Sequence, residues 1–128
     1  MSPRYTMKIV TDFAAAHLLR GYAGDCSRLH GHNWKVEVEI TTRVLDEIGM
    51  GVDFKEIKRV TKSVIDSMDH RNLNDLPPFD TINPTAENIS AHIFKELAGQ
   101  LNDERVRVKA VTIWETERAC VTYTEEDE

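Results

Sequence analysis

The chain has 128 residues, 41% of them hydrophobic, and a formal charge of −6 from 16 basic and 22 acidic side chains. That length suits one domain, residues 1–128, around a single core. No apolar run approaches the roughly 20 residues of a membrane span, and no basic cluster resembles a nucleic-acid footprint. The polar, alternating start Met1–Val10 does not read as a signal peptide, so a cytoplasmic protein is expected.

Tyr5, Met7, Ile9, Thr11 and Phe13 alternate with Thr6, Lys8, Val10 and Asp12, which predicts a strand running toward His17. A loop carrying Gly21, Gly24 and Cys26 comes next. Trp34, Val36, Val38 and Ile40 then face one way and Lys35, Glu37, Glu39 and Thr41 the other, a strand with one buried face. Gly49 and Gly51 mark a turn. Beyond it Phe54, Ile57, Val60, Val64, Ile65 and Met68 recur at helical spacing. Asp53 is the expected N-cap, with Glu56 completing a variant capping box.

Asp69 to Thr81 is polar, contains Pro77 and Pro78, and reads as loop. Thr85 caps a second helix whose apolar face is Ile89, Ile93, Phe94, Leu97 and Leu101. Two strands close the chain, Val106–Thr116 and Ala119–Thr124, before an acidic tail, Glu125–Glu128, expected to fray into solvent. The order ββααββ predicts an α+β fold, a four-stranded antiparallel sheet with two helices on one face. Long outer strands would leave unpaired edges, so a symmetric homo-oligomer is expected. Cys26 and Cys120 are expected to be reduced, with Cys120 a small core residue of the last strand.

The chemistry concentrates in Cys26-Ser-Arg-Leu-His-Gly-His32 and in His17 upstream. His30 and His32 are two apart and share a face in extended chain, with Gly31 allowing close approach. Antiparallel pairing can bring His17 to the same point. Three neutral imidazoles with an open position describe a catalytic zinc site. A closed structural site of three histidines and Cys26 is the alternative that spacing leaves open. Asp69 and His70, Thr85 and Glu87, and Glu115 form a second set of polar candidates. Glu87 could serve only the helix dipole, whereas Glu115, beside Ile113 and Trp114, needs a partner if buried.

The motifs Phe13-Ala-Ala-Ala-His17, Cys26–His32, Val52-Asp-Phe54, Met68-Asp-His70 with Leu73-Asn-Asp75, Asn83-Pro-Thr-Ala-Glu-Asn88 and Trp114-Glu-Thr116 run over nearly the whole chain. Together they resemble the superfamily of 6-pyruvoyltetrahydropterin and 6-carboxytetrahydropterin synthases. The resemblance implies a T-fold whose strands close a barrel across subunits, as a homohexamer or another barrel-forming homo-oligomer with active sites at the interfaces. It implies zinc on His17, His30 and His32, and Cys26 as catalytic base supported by Asp69 and His70. It also implies Glu115 as the pterin anchor, with Thr85 and Glu87 finishing the ring pocket. Within the superfamily, Asn83-Pro-Thr-Ala-Glu-Asn88, Ala15-Ala16 and Leu73-Asn-Asp75 resemble the 6-carboxytetrahydropterin branch. That branch converts 7,8-dihydroneopterin triphosphate to 6-carboxytetrahydropterin, acetaldehyde and triphosphate on the 7-deazaguanine route to queuosine. The partner implied is therefore a small pterin triphosphate, not nucleic acid or a membrane. No lysine or arginine is singled out by spacing for the triphosphate.

Overall fold

The computed structural model describes residues 3–125, so the acidic tail beyond Glu125 lies outside the described residues. Glu125 itself is not frayed, because the Tyr123 hydroxyl donates to its carboxylate at 2.6 Å. The elements are β1 (Tyr5–His17), β2 (His30–Thr42), α1 (Phe54–Ile65), β3 (Arg71–Asn72), α2 (Ala86–Leu101), β4 (Val106–Thr116) and β5 (Ala119–Tyr123). The sheet order is β3-β1-β2-β4-β5. The four long strands pair antiparallel as expected. The fifth is a correction: Arg71 and Asn72, inside the stretch read as loop, pair in parallel with Ala15 and Ala16. A one-turn 3₁₀ segment, Leu73–Asp75, comes directly after it. Two residues of backbone pairing need no apolar alternation, so β3 leaves no periodic trace in the sequence.

Both helices lie on one face, α2 across β4 and β5, and α1 against β1 and α2. Between the layers sit Ile9, Phe13, Trp34, Val36, Val38 and Ile40 from the sheet, and Ile57, Val60, Ile89, Ile93 and Leu97 from the helices. Asp53 caps α1 by accepting the Lys55 N–H. Glu56, however, turns outward to Arg59, so the reciprocal half of the capping box is not made. Phe54 is largely exposed, and Met68 is buried beyond the end of the helix. Thr85 caps α2 through the Asn88 N–H, as its position predicts.

One irregularity in β4 decides which of its side chains reach the inner face. Ile40 pairs with Val108 and Glu39 with Ala110, leaving Lys109 as an extra residue, a β-bulge. The bulge flips the phase of the strand. Val106 and Val108 face the helices before it, Val111 and Ile113 after it. Glu115 therefore joins Ile113 on the inner face, while Trp114 faces outward beneath the Lys35 ammonium, 5.1 Å from its ring.

Cys120 is also a correction. It is exposed, not a core residue. It pairs with outward-facing Trp114 on the edge strand, and β5 contributes Val121 and Tyr123 to the packing.

Ile93 is fully buried at the helix–sheet interface. Truncating Ile93 to Ala is expected to cost about 2–5 kcal/mol in urea unfolding. Lys95→Ala, on the exposed side of the same helix, should stay within about 0.5 kcal/mol.

Candidate metal centre

His17, His30 and His32 meet at one end of the sheet because register and alternation require it. His17 is the direct partner of His30 across the β1–β2 ladder. His32, two residues on, shares the face of His30. Their ring centroids are 4.5 Å (His17–His30), 5.2 Å (His17–His32) and 4.9 Å (His30–His32) apart, all edge to face. Trp34 continues the row and forms the floor, its ring centroid 4.9 Å from His17 and 5.0 Å from His32. The indole is held in place by its N–H, which donates to the Ala15 carbonyl at 3.2 Å.

Two of the rings have their tautomers set by backbone carbonyls. Nδ1 of His17 lies 2.7 Å from the Pro84 oxygen, and Nδ1 of His30 lies 2.7 Å from the Arg28 oxygen. Contacts that short to an acceptor require the proton on Nδ1, which leaves Nε2 as a bare lone pair. Burial holds the His17 and His32 imidazoles below the ordinary histidine value of 6.5, against the opposing pull of the Pro84 carbonyl on His17 and of Glu115 on both. Burial thus favours the neutral form of His17 and His32.

A carboxylate oxygen of Glu115 nevertheless lies 3.4 Å from His17 Nε2 and 3.3 Å from His32 Nε2. Neither nitrogen has a hydrogen-bond partner, although both are buried. The His17 lone pair faces a carboxylate and is repelled by it, and a cation among the donors reverses the sign of that term. The donor atoms of His17, His30, His32 and Glu115 all lie within 4.8 Å of one another, so the group fits a metal ion. Nitrogen-rich donors of this kind suit a borderline transition metal rather than calcium or magnesium. Cys26 is not a member of the group, so the closed set of three histidines and a thiolate is not assembled among the described residues.

The remaining candidates are distributed around this end. Cys26 sits half-buried in a one-turn 3₁₀ segment, Asp25–Ser27, with its carbonyl accepting the Leu19 N–H at 2.8 Å. Asp69 accepts the Ala14 N–H at 2.9 Å and contacts His70 Nδ1 at 3.0 Å. The Ala14 N–H, then His70, hold the Asp69 carboxyl below its ordinary range. His70 has a positive φ of 58° and a side chain 81% exposed. His70 and His32 line a common cavity of about 540 Å³ with Arg71 and Asn72. Thr85 accepts the Asn88 N–H at 3.1 Å, and Glu87 is exposed in the first turn of α2. Glu115 is half-buried rather than sealed in the core, its side chain 37% exposed. His92 packs edge to face on Phe79 at 5.4 Å.

Sequence reasoning misses the groups that orient these residues. The Pro84 carbonyl and the Arg28 carbonyl carry no side-chain signature. Trp34 reads from its alternation as a core residue, and it is one, but it also floors the site.

A match to the 6-pyruvoyl tetrahydropterin synthase family covers residues 6–126. The chain belongs to this family. A protein of Archaeoglobus fulgidus with the provisional name 6-carboxy-5,6,7,8-tetrahydropterin synthase is 44% identical over 84% of this chain and 90% of its own. The 6-pyruvoyl tetrahydrobiopterin synthase of Dictyostelium discoideum is 41% identical over 78% of this chain and 73% of its own. The solved 6-pyruvoyl tetrahydropterin synthase of Caenorhabditis elegans superposes with a TM-score of 0.86 at 32% identity, covering 97% of each chain. The family is one of tetrahydropterin synthase enzymes acting on pterins, and the fold of this chain is the T-fold of that family.

The depressed histidines have a measurable consequence for the metal-free protein. Below pH 6.5 the unfolded chain takes up protons at His17 and His32 before the folded one does, so stability falls as pH falls. Urea midpoints measured from pH 7.5 down to pH 5 are expected to decline, with a shallower decline in His17→Asn.

Proposed function

We propose that this chain is a zinc-dependent 6-carboxy-5,6,7,8-tetrahydropterin synthase that converts 7,8-dihydroneopterin triphosphate to 6-carboxytetrahydropterin, acetaldehyde and triphosphate. The observation that carries the reading is the clustered quartet of His17, His30, His32 and Glu115, on a chain 44% identical to a relative of that provisional name. The product would feed the synthesis of 7-deazaguanine bases such as queuosine. The working form would be one domain per chain, assembled as a cytoplasmic homohexamer or another barrel-forming homo-oligomer.

His17, His30 and His32 would hold the zinc, and the bound ion would polarise the hydroxyl oxygens of the substrate side chain. The Nδ1 protons of His17 and His30, anchored on Pro84 and Arg28, keep both Nε2 lone pairs aimed inward without rotamer search. Glu115 would anchor the pterin, since a carboxylate accepts two adjacent N–H donors of an aminopyrimidinone edge in a forked pair. Its position on β4 beside the histidines would bring ring recognition next to the side chain to be cleaved, with the carboxylate turned from the histidines to the ring. Thr85 keeps its hydroxyl proton free, since its oxygen serves the cap as an acceptor, and can donate to the ring with Glu87 beside it.

Cys26 would remove a side-chain proton as thiolate, and His70, oriented by Asp69, would return one as general acid. The exposed His70 ring suits a group that completes a site at a subunit boundary.

The second reading is a 6-pyruvoyltetrahydropterin synthase, favoured by the Dictyostelium relative and the C. elegans structure. That enzyme would eliminate triphosphate from the same substrate without breaking a carbon–carbon bond. Incubation with dihydroneopterin triphosphate separates the two: acetaldehyde release is expected, and triphosphate release without acetaldehyde would establish the alternative.

Cys26→Ala is expected to abolish turnover while metal analysis shows the ion retained. Loss of the ion in that variant would restore the closed site containing sulfur. Glu115→Gln is expected to weaken pterin binding by about 1.5–3 kcal/mol, the worth of a charge-assisted pair, measured by calorimetry with the metal-loaded protein.

A further inference from the structure

Beyond His17 the chain leaves β2 and the strand ends, yet the peptide groups of Leu18–Arg20 stay hydrogen-bonded. Leu18 and Arg20 point their peptide groups to one side and Leu19 to the other. The partners on the first side are two asparagine carboxamides. Asn74 accepts the Leu18 N–H at 2.9 Å and donates to the Leu18 carbonyl at 3.1 Å. Asn83 accepts the Arg20 N–H at 2.9 Å and donates to the Arg20 carbonyl at 2.8 Å. A carboxamide carries the same acceptor and donor as a peptide group, so each asparagine replaces one residue of a missing neighbouring strand. They extend the edge that β3 begins at Ala15 and Ala16. On the second side, the Leu19 N–H reaches the Cys26 carbonyl at 2.8 Å.

We propose that Asn74 and Asn83 are positioning residues that fix the Cys26 loop relative to His17 through the backbone of Leu18–Arg20. This deepens the proposed function, resting on the reading of Cys26 as the base. Leu18 directly follows the ligand candidate His17, so the segment fixed by the asparagines begins at the metal group and ends on the cysteine loop. Asn83 also adjoins Pro84, whose carbonyl orients His17. The Asn83 carbonyl accepts the Thr85 N–H at 2.9 Å and the Asn88 carboxamide at 2.9 Å. The Arg20 guanidinium binds the same loop, donating to the carbonyls of Phe79 at 2.7 Å and Ile82 at 3.0 Å. One loop therefore ties together the imidazole of His17, the start of α2 and, through Leu19, the cysteine.

The test uses Asn74→Asp and Asn83→Asp, near-isosteric changes that keep the acceptor and lose the donor. Both are made in a Cys120→Ser background, so that iodoacetamide reports Cys26 alone. In metal-loaded protein at a fixed pH, Cys26 alkylation is expected to rise several-fold in each variant. A core variant of lower stability, Ile93→Ala, should alkylate at the parent rate. Turnover is expected to fall by about 10²-fold with KM within a few-fold, the signature of a misplaced reacting group. Parent-like alkylation in both asparagine variants overturns the proposal, whatever the turnover. Faster alkylation with unchanged kcat overturns its catalytic half.

A parent protein that does not turn over dihydroneopterin triphosphate refutes the proposed function instead, and the alkylation result then still decides the coupling. Should the variants not fold, amide exchange in the parent decides. Leu18, Leu19 and Arg20 are expected to be protected like β1, and exchange at the rate of an open loop overturns the pairing.

Discussion

The hydrogen bond from His17 Nδ1 to the Pro84 carbonyl is the contact on which the rest of this end of the molecule depends. It is buried, and it spans from the last residue of β1 to the residue before the cap of α2. It fixes a proton on one nitrogen and so exposes the lone pair of the other to the interior. Without it the ring could flip its tautomer and offer an N–H to Glu115, turning a candidate cation site into an ordinary histidine–carboxylate pair. Burial then keeps the ring neutral, which is the form that binds a metal.

Two features of the sheet bring the remaining donors to that lone pair. Antiparallel register sets His17 opposite His30, and alternation adds His32 and then Trp34 beneath. A slip of one residue would send the imidazoles of β2 to the outer face. The bulge at Lys109 performs the same service for β4. Without the extra residue, the parity that buries Val106 and Val108 would place Trp114 inside and Glu115 outside. A backbone irregularity upstream in the strand thus decides which of two adjacent side chains joins the histidines. Lys109 is exposed and polar, so it can be the odd residue at no cost to the core.

Much of this was legible in the residues. The alternation of Trp34, Val36, Val38 and Ile40 announced a buried strand face, and all four are fully buried. The His-Gly-His spacing and the strand-end position of His17 anticipated the convergence of the rings. Helix α2 and its Thr85 cap follow directly from local chemistry. What was not legible depends on backbone. β3 is two residues of parallel pairing, the bulge shows only as a change of parity, and Pro84 and Arg28 act through carbonyls. The burial expected of Cys120 failed because β5 is an edge strand, where apolar neighbours in sequence do not guarantee a covering layer. Asn74 and Asn83 were visible as motif residues, but their peptide-like pairing needs the fold to bring Leu18 and Arg20 alongside.

On the proposed reading, neutral imidazole nitrogens, and not the Cys26 sulfur, would hold the ion. X-ray absorption at the metal edge of the zinc-loaded protein tests it most directly. A first shell of nitrogen and oxygen scatterers at about 2.0–2.1 Å with imidazole outer-shell features for three rings is the expected result, whereas a sulfur scatterer near about 2.3 Å would contradict it.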